Sequence, residues 1–298
     1  MPVDADKYTA QAELCFQNGY FIRSLPGQRV AAPVQACLYM RHQGGAQNVH
    51  NLIIAEEGSE LNIITGCATA PKLTSGLHIG ISEFYVKRGA KVTFTMIHDW
   101  AEEVVVRPRT GVIVEEGGIF ISNYICLKPV RSLQTYPTVR LRGPGAIARI
   151  HSVLAASPGS ELDTGARVLL EAEQTRAEII SRAITTGGII RARGHLQGLR
   201  PEVKAHLECH GLILRDGGII HAIPELEGRA VGAEMSHEAA VGKIAEEEIE
   251  YLMARGLSEE EATATIVRGF LNVRIEGLPP ELQAEVDRAI AESQASML

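Results

Sequence analysis

The sequence predicts a mainly β protein, a solenoid of stacked strand units that ends in a small helical unit. Three observations predict it. A polar turn containing Gly, followed by alternating β-type residues, returns at a near-constant interval through most of the chain. A helical spacing of apolar residues replaces that alternation only after Gly242. The composition is 45% hydrophobic but only 5% aromatic, so the core must be aliphatic, which suits β-branched side chains stacked in layers.

Residues 1–35 read as a helical or extended lead-in. Their first stretch, MPVDADKYTAQAELC, carries acids and no apolar run, unlike a signal peptide. Residues 36–235 carry the repeat. It reads EEGSELNII at Gly58, KRGAKVTFT at Gly89, EEGGIFISN at Gly117 and GPGAIARIHS at Gly145. SPGSELDTG at Gly159, TTGGIIRAR at Gly188 and RDGGIIHAI at Gly218 continue it. The intervals are 31, 28, 28, 14, 29 and 30 residues, one or two units of about 14 to 15. A weaker copy, EQTRAEIIS near Gln174, has polar residues in place of Gly. Each unit holds a strand and a turn, with no room for a crossover helix. Gly supplies positive φ at the corners. A β-sandwich with Gly turns is the competing architecture. GPGAIA at Gly143 resembles half a dinucleotide fingerprint, but Pro144 and the lack of a following helix set that aside.

Residues 236–298 read as helical. Ile244, Ile249, Leu252 and Met253 share a helical face, and Gly256 ends the segment. Ser258 is an N-cap for a second helix, with Glu261 completing a capping box. Ala262, Ile266, Val267 and Phe270 make its apolar side. Pro280 starts a third helix, with Leu282, Val286, Ala289 and Ile290 on one side. The unit either caps the solenoid or docks a partner, capping being the expected role.

Several function classes fall away. Net charge is −7 with no basic stripe, which argues against nucleic acid or an acidic membrane surface as main partner. No apolar stretch reaches the length of a membrane span. The five cysteines (15, 37, 67, 126 and 209) are scattered and never form CxxC, which points to a reducing cytoplasm. No nucleophile elbow, P-loop or HExxH is present. The lone Trp100 and the scattered acids disfavour a carbohydrate enzyme. The expectation is a non-enzymatic chain.

What chemistry there is centres on Cys209, in KAHLECHGLIL. In a strand, Leu207, Cys209 and Gly211 share one face, and His206, Glu208 and His210 the other. Two readings stand: a buried inert thiol, or a thiolate for a soft metal or iron–sulfur cluster completed by imidazole or carboxylate. The doublet His237–Glu238 follows 28 residues later, about two rungs on and at the edge of the helical region. Cys67 in IITGCATAP follows a strand, at a corner where its thiol would be exposed. Zinc at His206, His210, His221 and Cys209 is a weaker alternative, because no pair has a finger or ribbon spacing.

The segment SHEAAVGKIAEEEIEYLMARGLSEEEATATIVRGFL strongly resembles the C-terminal signature of the SufB/SufD family, scaffolds of iron–sulfur cluster biogenesis. NLIIAEEGSELNIITGCATAP is similar to a family strand–turn–strand ending in a Gly-Cys motif, and VTFTMIHDW to a segment ending in Trp. The likeness spans roughly Cys37 to Leu271. It implies a right-handed parallel β-helix with a C-terminal helical domain that docks a SufC-type ABC ATPase. It also implies pairing of two subunits through their β-helix ends, as a homodimer or SufB–SufD heterodimer, and apo iron–sulfur proteins as recipients. The family's cluster positions fall on Cys209, His237 and Glu238, as ligands of an iron–sulfur cluster, [4Fe–4S] favoured. The proposed sulfur entry point falls on Cys67. Glu238, where SufD proteins commonly have Gly, points to a short, archaeal-type SufB-like member. A SufD-like partner that binds no cluster is the alternative.

Overall fold

A computed structural model of the chain describes residues 1–271 apart from residue 31. Chain order runs α1 (Lys7–Leu14), β1 (Phe21–Arg23), β2 (Val34–Met40), β3 (Ala46–Ala55), β4 (Glu60–Thr69), β5 (Ser75–Val86), β6 (Lys91–Asp99) and β7 (Glu103–Val114). Then follow β8 (Ile119–Cys126), β9 (Ser132–Thr135), β10 (Thr138–Leu141), β11 (Ile147–Ala156), β12 (Glu161–Leu170), β13 (Arg176–Thr185) and β14 (Ile189–Gly198). β15 (Lys204–Ile213), β16 (Ile219–Gly228), β17 (Glu234–Gly242), α2 (Glu246–Met253) and α3 (Glu259–Leu271) complete it.

Every strand pairing is parallel, and strands alternate between two facing sheets. Sheet A runs β1-β3-β5-β7-β10-β12-β14-β16, and sheet B runs β2-β4-β6-β8-β11-β13-β15-β17. This is the expected parallel β-solenoid. The 14-residue unit is one strand with its turn, and two units make one rung, so Arg176 stacks on Lys204 and Lys204 on Glu234. One strand of sheet A is broken: β9 and β10 flank Tyr136–Pro137 and both pair with β7 and β12. Proline lacks the donor that an unbroken ladder needs.

The corners follow the glycine pattern. Gly58, Gly89 and Gly117 have φ of 64°, 65° and 60°, and their N–H groups donate to the next rung's carbonyls at Arg88, Glu116 and Pro144. In the paired glycines the left-handed residue is the first, Gly187 and Gly217, rather than Gly188 and Gly218. At the weak copy, Gln174 itself takes φ 58°, a conformation that costs a side chain about 1 kcal/mol.

Between the sheets lie two apolar clusters, one from Ile53, Leu61 and Ile63 to Leu196, Val203 and Leu207, the other from Leu38 and Val49 to Ala183 and Ile190. Three of the six phenylalanines stack in the first on neighbouring rungs, Phe84 4.8 Å from Phe94 and 5.2 Å from Phe120 between ring centroids. On the outer face of sheet A, α1 is held by a capping box at Asp6 and by Tyr8, whose ring lies under the Arg109 guanidinium at 5.0 Å.

Among the described residues the helical unit covers a flank of the solenoid and not its end. Val267 and Leu271 of α3 pack on the outer flank of sheet B, against Ile125, Val153, Ala155 and Ile184. Those residues point away from the interior, yet are apolar and must be covered. Ser258 and Glu261 form the expected reciprocal cap, and Gly256 has φ 100°. The last strand runs to Gly242, past the expected boundary at residue 235. The third helix expected from Pro280 lies outside the described residues.

Candidate functional site at the open end of the solenoid

β15 alternates strictly. Ala205, Leu207 and Cys209 point inward and are buried, Cys209 at 3% exposure. His206, Glu208 and His210 point outward. In register, Cys209 stacks between Ser181 on β13 and Ala239 on β17. Burial pushes its thiol up to about 11, with the Glu208 carboxylate adding to the shift. In the isolated subunit this sulfur is protonated at neutral pH, so a metal must displace its proton to bind.

β17 is the last strand of sheet B. His237 stacks on Leu207, Glu238 on Glu208 and Ala239 on Cys209. His237 therefore shares the inward face of Cys209, one strand along and two residues offset. Glu238 lies on the opposite face of the sheet. There its Oε1 is 3.7 Å from His210 Nε2, and His210 Nδ1 is 3.6 Å from Glu208 Oε1. Arg182 on β13 donates to His210 Nδ1 and pairs with Glu208 at 2.5 Å. The 28 residues from Cys209 to His237 are thus one rung, not two. The doublet sits within a strand, not at its junction with the helix: Met235, His237, Ala239 and Val241 alternate on the inward side, and pairing to β15 overrides the helical look of EAAV.

No further rung stacks on β16 and β17 among the described residues. No residue of β17 is buried, and His237 and Glu238 are exposed. Val241, on the inward side, is 40% exposed, although Gly211 beneath it is buried. Leu226 and Met235 are half-covered from below by the core. The end of the solenoid presents two strand edges and an apolar floor, with Cys209 one strand beneath.

Cys67 differs from the expectation. It lies inside β4, not on a corner, and is 1% exposed because Leu61, Ile63, Thr65 and Cys67 all point inward. Burial is the main reason its thiol is raised far above the ordinary range, with Cys37 nearby adding to it. It stacks on His98 of β6. Around it lies a buried polar group that the sequence reading missed. His98 Nδ1 is 3.0 Å from the Tyr124 hydroxyl, and Trp100 packs on both His78 and His98. Burial lowers His78 to about 4 and, with His78 adding, His98 to about 3, so both are neutral. The alternation Val92–Phe94–Met96–His98 carried the signal that places His98 inside. The zinc set does not converge: His206 and His210 point out from β15, His221 stands on β16 and Cys209 points in. Among the described residues, no three His, Cys, Asp or Glu side chains of one subunit are placed to hold a metal ion.

A second surface lies on the helical unit. No residue of α2 is buried, and Tyr251 and Met253 stand exposed. Glu247, Glu248, Tyr251 and Leu252 line a groove with Ile266 of α3.

Residues 38–270, nearly the whole solenoid and both helices, match the family model for "SUF system FeS cluster assembly, SufBD core domain". The chain belongs to the SufBD family. It is 56% identical over 295 residues to an iron–sulfur cluster assembly SufBD family protein of Archaeoglobus fulgidus, covering 99% of this chain and 79% of that one. To the SufBD family protein of Methanothermobacter thermautotrophicus it is 54% identical over 300 residues, covering 99% and 73%. To that of Pyrococcus horikoshii it is 31% identical over 285 residues, covering 95% and 64%. The chain is thus a member of the SUF system of iron–sulfur cluster assembly. No helix among the described residues is long and apolar enough to cross a membrane.

Proposed function

We propose that this SufBD chain is a SufB-like, non-enzymatic scaffold in the cytoplasm, on which an iron–sulfur cluster is built and then passed to apo proteins. The observation that carries it is the position of Cys209, facing inward one strand beneath the open end, on the same face as His237. The cluster is cargo: few thiolates, with imidazole and carboxylate in the remaining places, hold it loosely enough to release it, with [4Fe–4S] the favoured form. One subunit does not bring three ligands together, which fits a site completed when a second copy stacks on β16 and β17. The exposed Val241 and the free strand edges are the surface such a homodimer would cover. Glu238 would then join from the rim of that interface. A SufC-type ATPase would dock on the uncovered face of α2 and its groove with α3. A sulfur entry role for Cys67 would require the neighbouring rungs to open, given its burial.

The burial of Cys209 and the outward face of Glu238 favour a second reading, a SufD-like subunit that holds the ATPase and binds no cluster. Anaerobic reconstitution with iron and sulfide separates the two. The scaffold gives a charge-transfer absorption that Cys209→Ala reduces most of the way to baseline. The same spectrum in both proteins removes Cys209 from the site, and no absorption in either establishes the SufD-like reading.

A further inference from the structure

The outer face of sheet B joins the helical unit to Glu238 through a line of side chains. Arg182 on β13 stands in register with His210 on β15. Its guanidinium lies 5.7 Å from the centre of the Phe270 ring on α3, within cation–π range. It donates to His210 Nδ1 and pairs with Glu208 Oε1. On the far side of the imidazole, Nε2 faces Glu238 Oε1 at 3.7 Å. A guanidinium has only donors, so Nδ1 meets it as an acceptor, and Nε2 is the ring nitrogen turned toward Glu238. Glu208 and Glu238 occupy matched positions on adjacent strands, where like charges repel. Arg182 pairs with the first, and His210 turns Nε2 to the second at 3.7 Å.

We propose that Arg182 and His210 are positioning residues for the Glu238 carboxylate, and that Phe270, by covering Arg182, makes the placing of that carboxylate depend on how α3 is docked. With α3 seated, Arg182 is held between the ring and His210. With α3 displaced, the guanidinium loses one wall and is free to swing toward either carboxylate. Two arrangements of one side chain then link the helical unit to the ligand, which is what coupling between two sites requires. The inference rests on the reading of Glu238 as an iron ligand.

The test is anaerobic titration of the apo chain with Fe(II) alone. His210→Leu weakens Fe(II) binding about fivefold or more. His210→Gln, which keeps an acceptor and a donor, returns it to within about twofold of wild type. The double variant His210→Leu/Glu238→Gln binds no more weakly than Glu238→Gln alone, because the effect of His210 passes through Glu238. Phe270→Leu, apolar but without a ring face, weakens binding in the same direction. If His210→Leu does not fold by circular dichroism, Arg182→Gln breaks the same line from its other end and is read by the same rule. Wild-type binding in His210→Leu beside weakened binding in Glu238→Gln overturns the positioning line and leaves the ligand reading standing. Wild-type binding in Glu238→Gln overturns both.

Discussion

Strands β15 and β17 lie side by side in one register, and only one of them is buried. Ala205, Leu207 and Cys209 on β15 are sealed, while their stacking partners Met235, His237 and Ala239 on β17 are half-covered or exposed. Chemistry separates the two inward faces at His237 on Leu207 alone, since Met235, Ala239 and Val241 are as apolar as the residues they stack on. What separates them in burial is that no further rung follows β17 among the described residues. In a solenoid each unit is covered by its neighbours, so the last one is finished only by something else. α3 does not supply that cover, because its apolar side is spent on the flank of sheet B. Among the described residues the end stays apolar with two open strand edges, the kind of surface a partner covers.

The comparison can be broken with backbone substitutions. A Cβ at Gly165, on the β12 strand inside the stack, would sit 2.0 Å from the Arg193 carbonyl oxygen of the next rung. Gly165→Ala should cost on the order of 3 kcal/mol or more, or prevent folding, in a denaturant titration. A Cβ at Gly242, at the end of β17, meets nothing within 4 Å. Gly242→Ala should stay within about 0.5 kcal/mol of wild type. Equal costs would mean that the end is as tightly closed as the middle.

Acid sharpens it further. His78 and His98 are buried neutral, with folded values of about 4 and about 3, whereas the unfolded chain takes up these protons near the ordinary histidine value of 6.5. Between those limits the unfolded state binds more protons, so stability is present at neutral pH and is lost as pH falls from about 6.5, by up to about 1.4 kcal/mol per pH unit for each group. His98→Gln should lower stability overall, yet flatten its pH dependence between about 6.5 and 4 by roughly one proton. Denaturant titrations across that window read the slope. An unchanged slope would show that His98 is charged or solvated in the fold.

Much of this was legible in the sequence. The turn glycines gave the solenoid its period, because a left-handed corner is cheap only for Gly, and the Ser258–Glu261 cap marked α3 by a local hydrogen-bond pattern. Alternation placed Cys209 inward before any coordinate did. Three features were not legible. Whether 14 residues make a whole rung or half of one depends on which strands pair, which is a long-range property, so the distance from Cys209 to His237 was read as two rungs. The location of α3 depends on an outer face of sheet B whose apolar residues look, in one dimension, like any other strand positions. Glu238 falls on the opposite face from Cys209 by a single step of parity, and a strand that resembles a helix in sequence hides that parity.

The central claim is that the open end is where two copies meet and where the cargo is held. Sedimentation velocity of the anaerobically reconstituted protein, followed at once in the protein band and in the visible charge-transfer band, tests it for wild type and Val241→Lys. The account predicts a wild-type dimer that carries the visible absorption, and a folded Val241→Lys monomer that has lost most of it. A wild-type monomer that carries the cluster, or a Val241→Lys monomer that keeps it undiminished, would contradict the account.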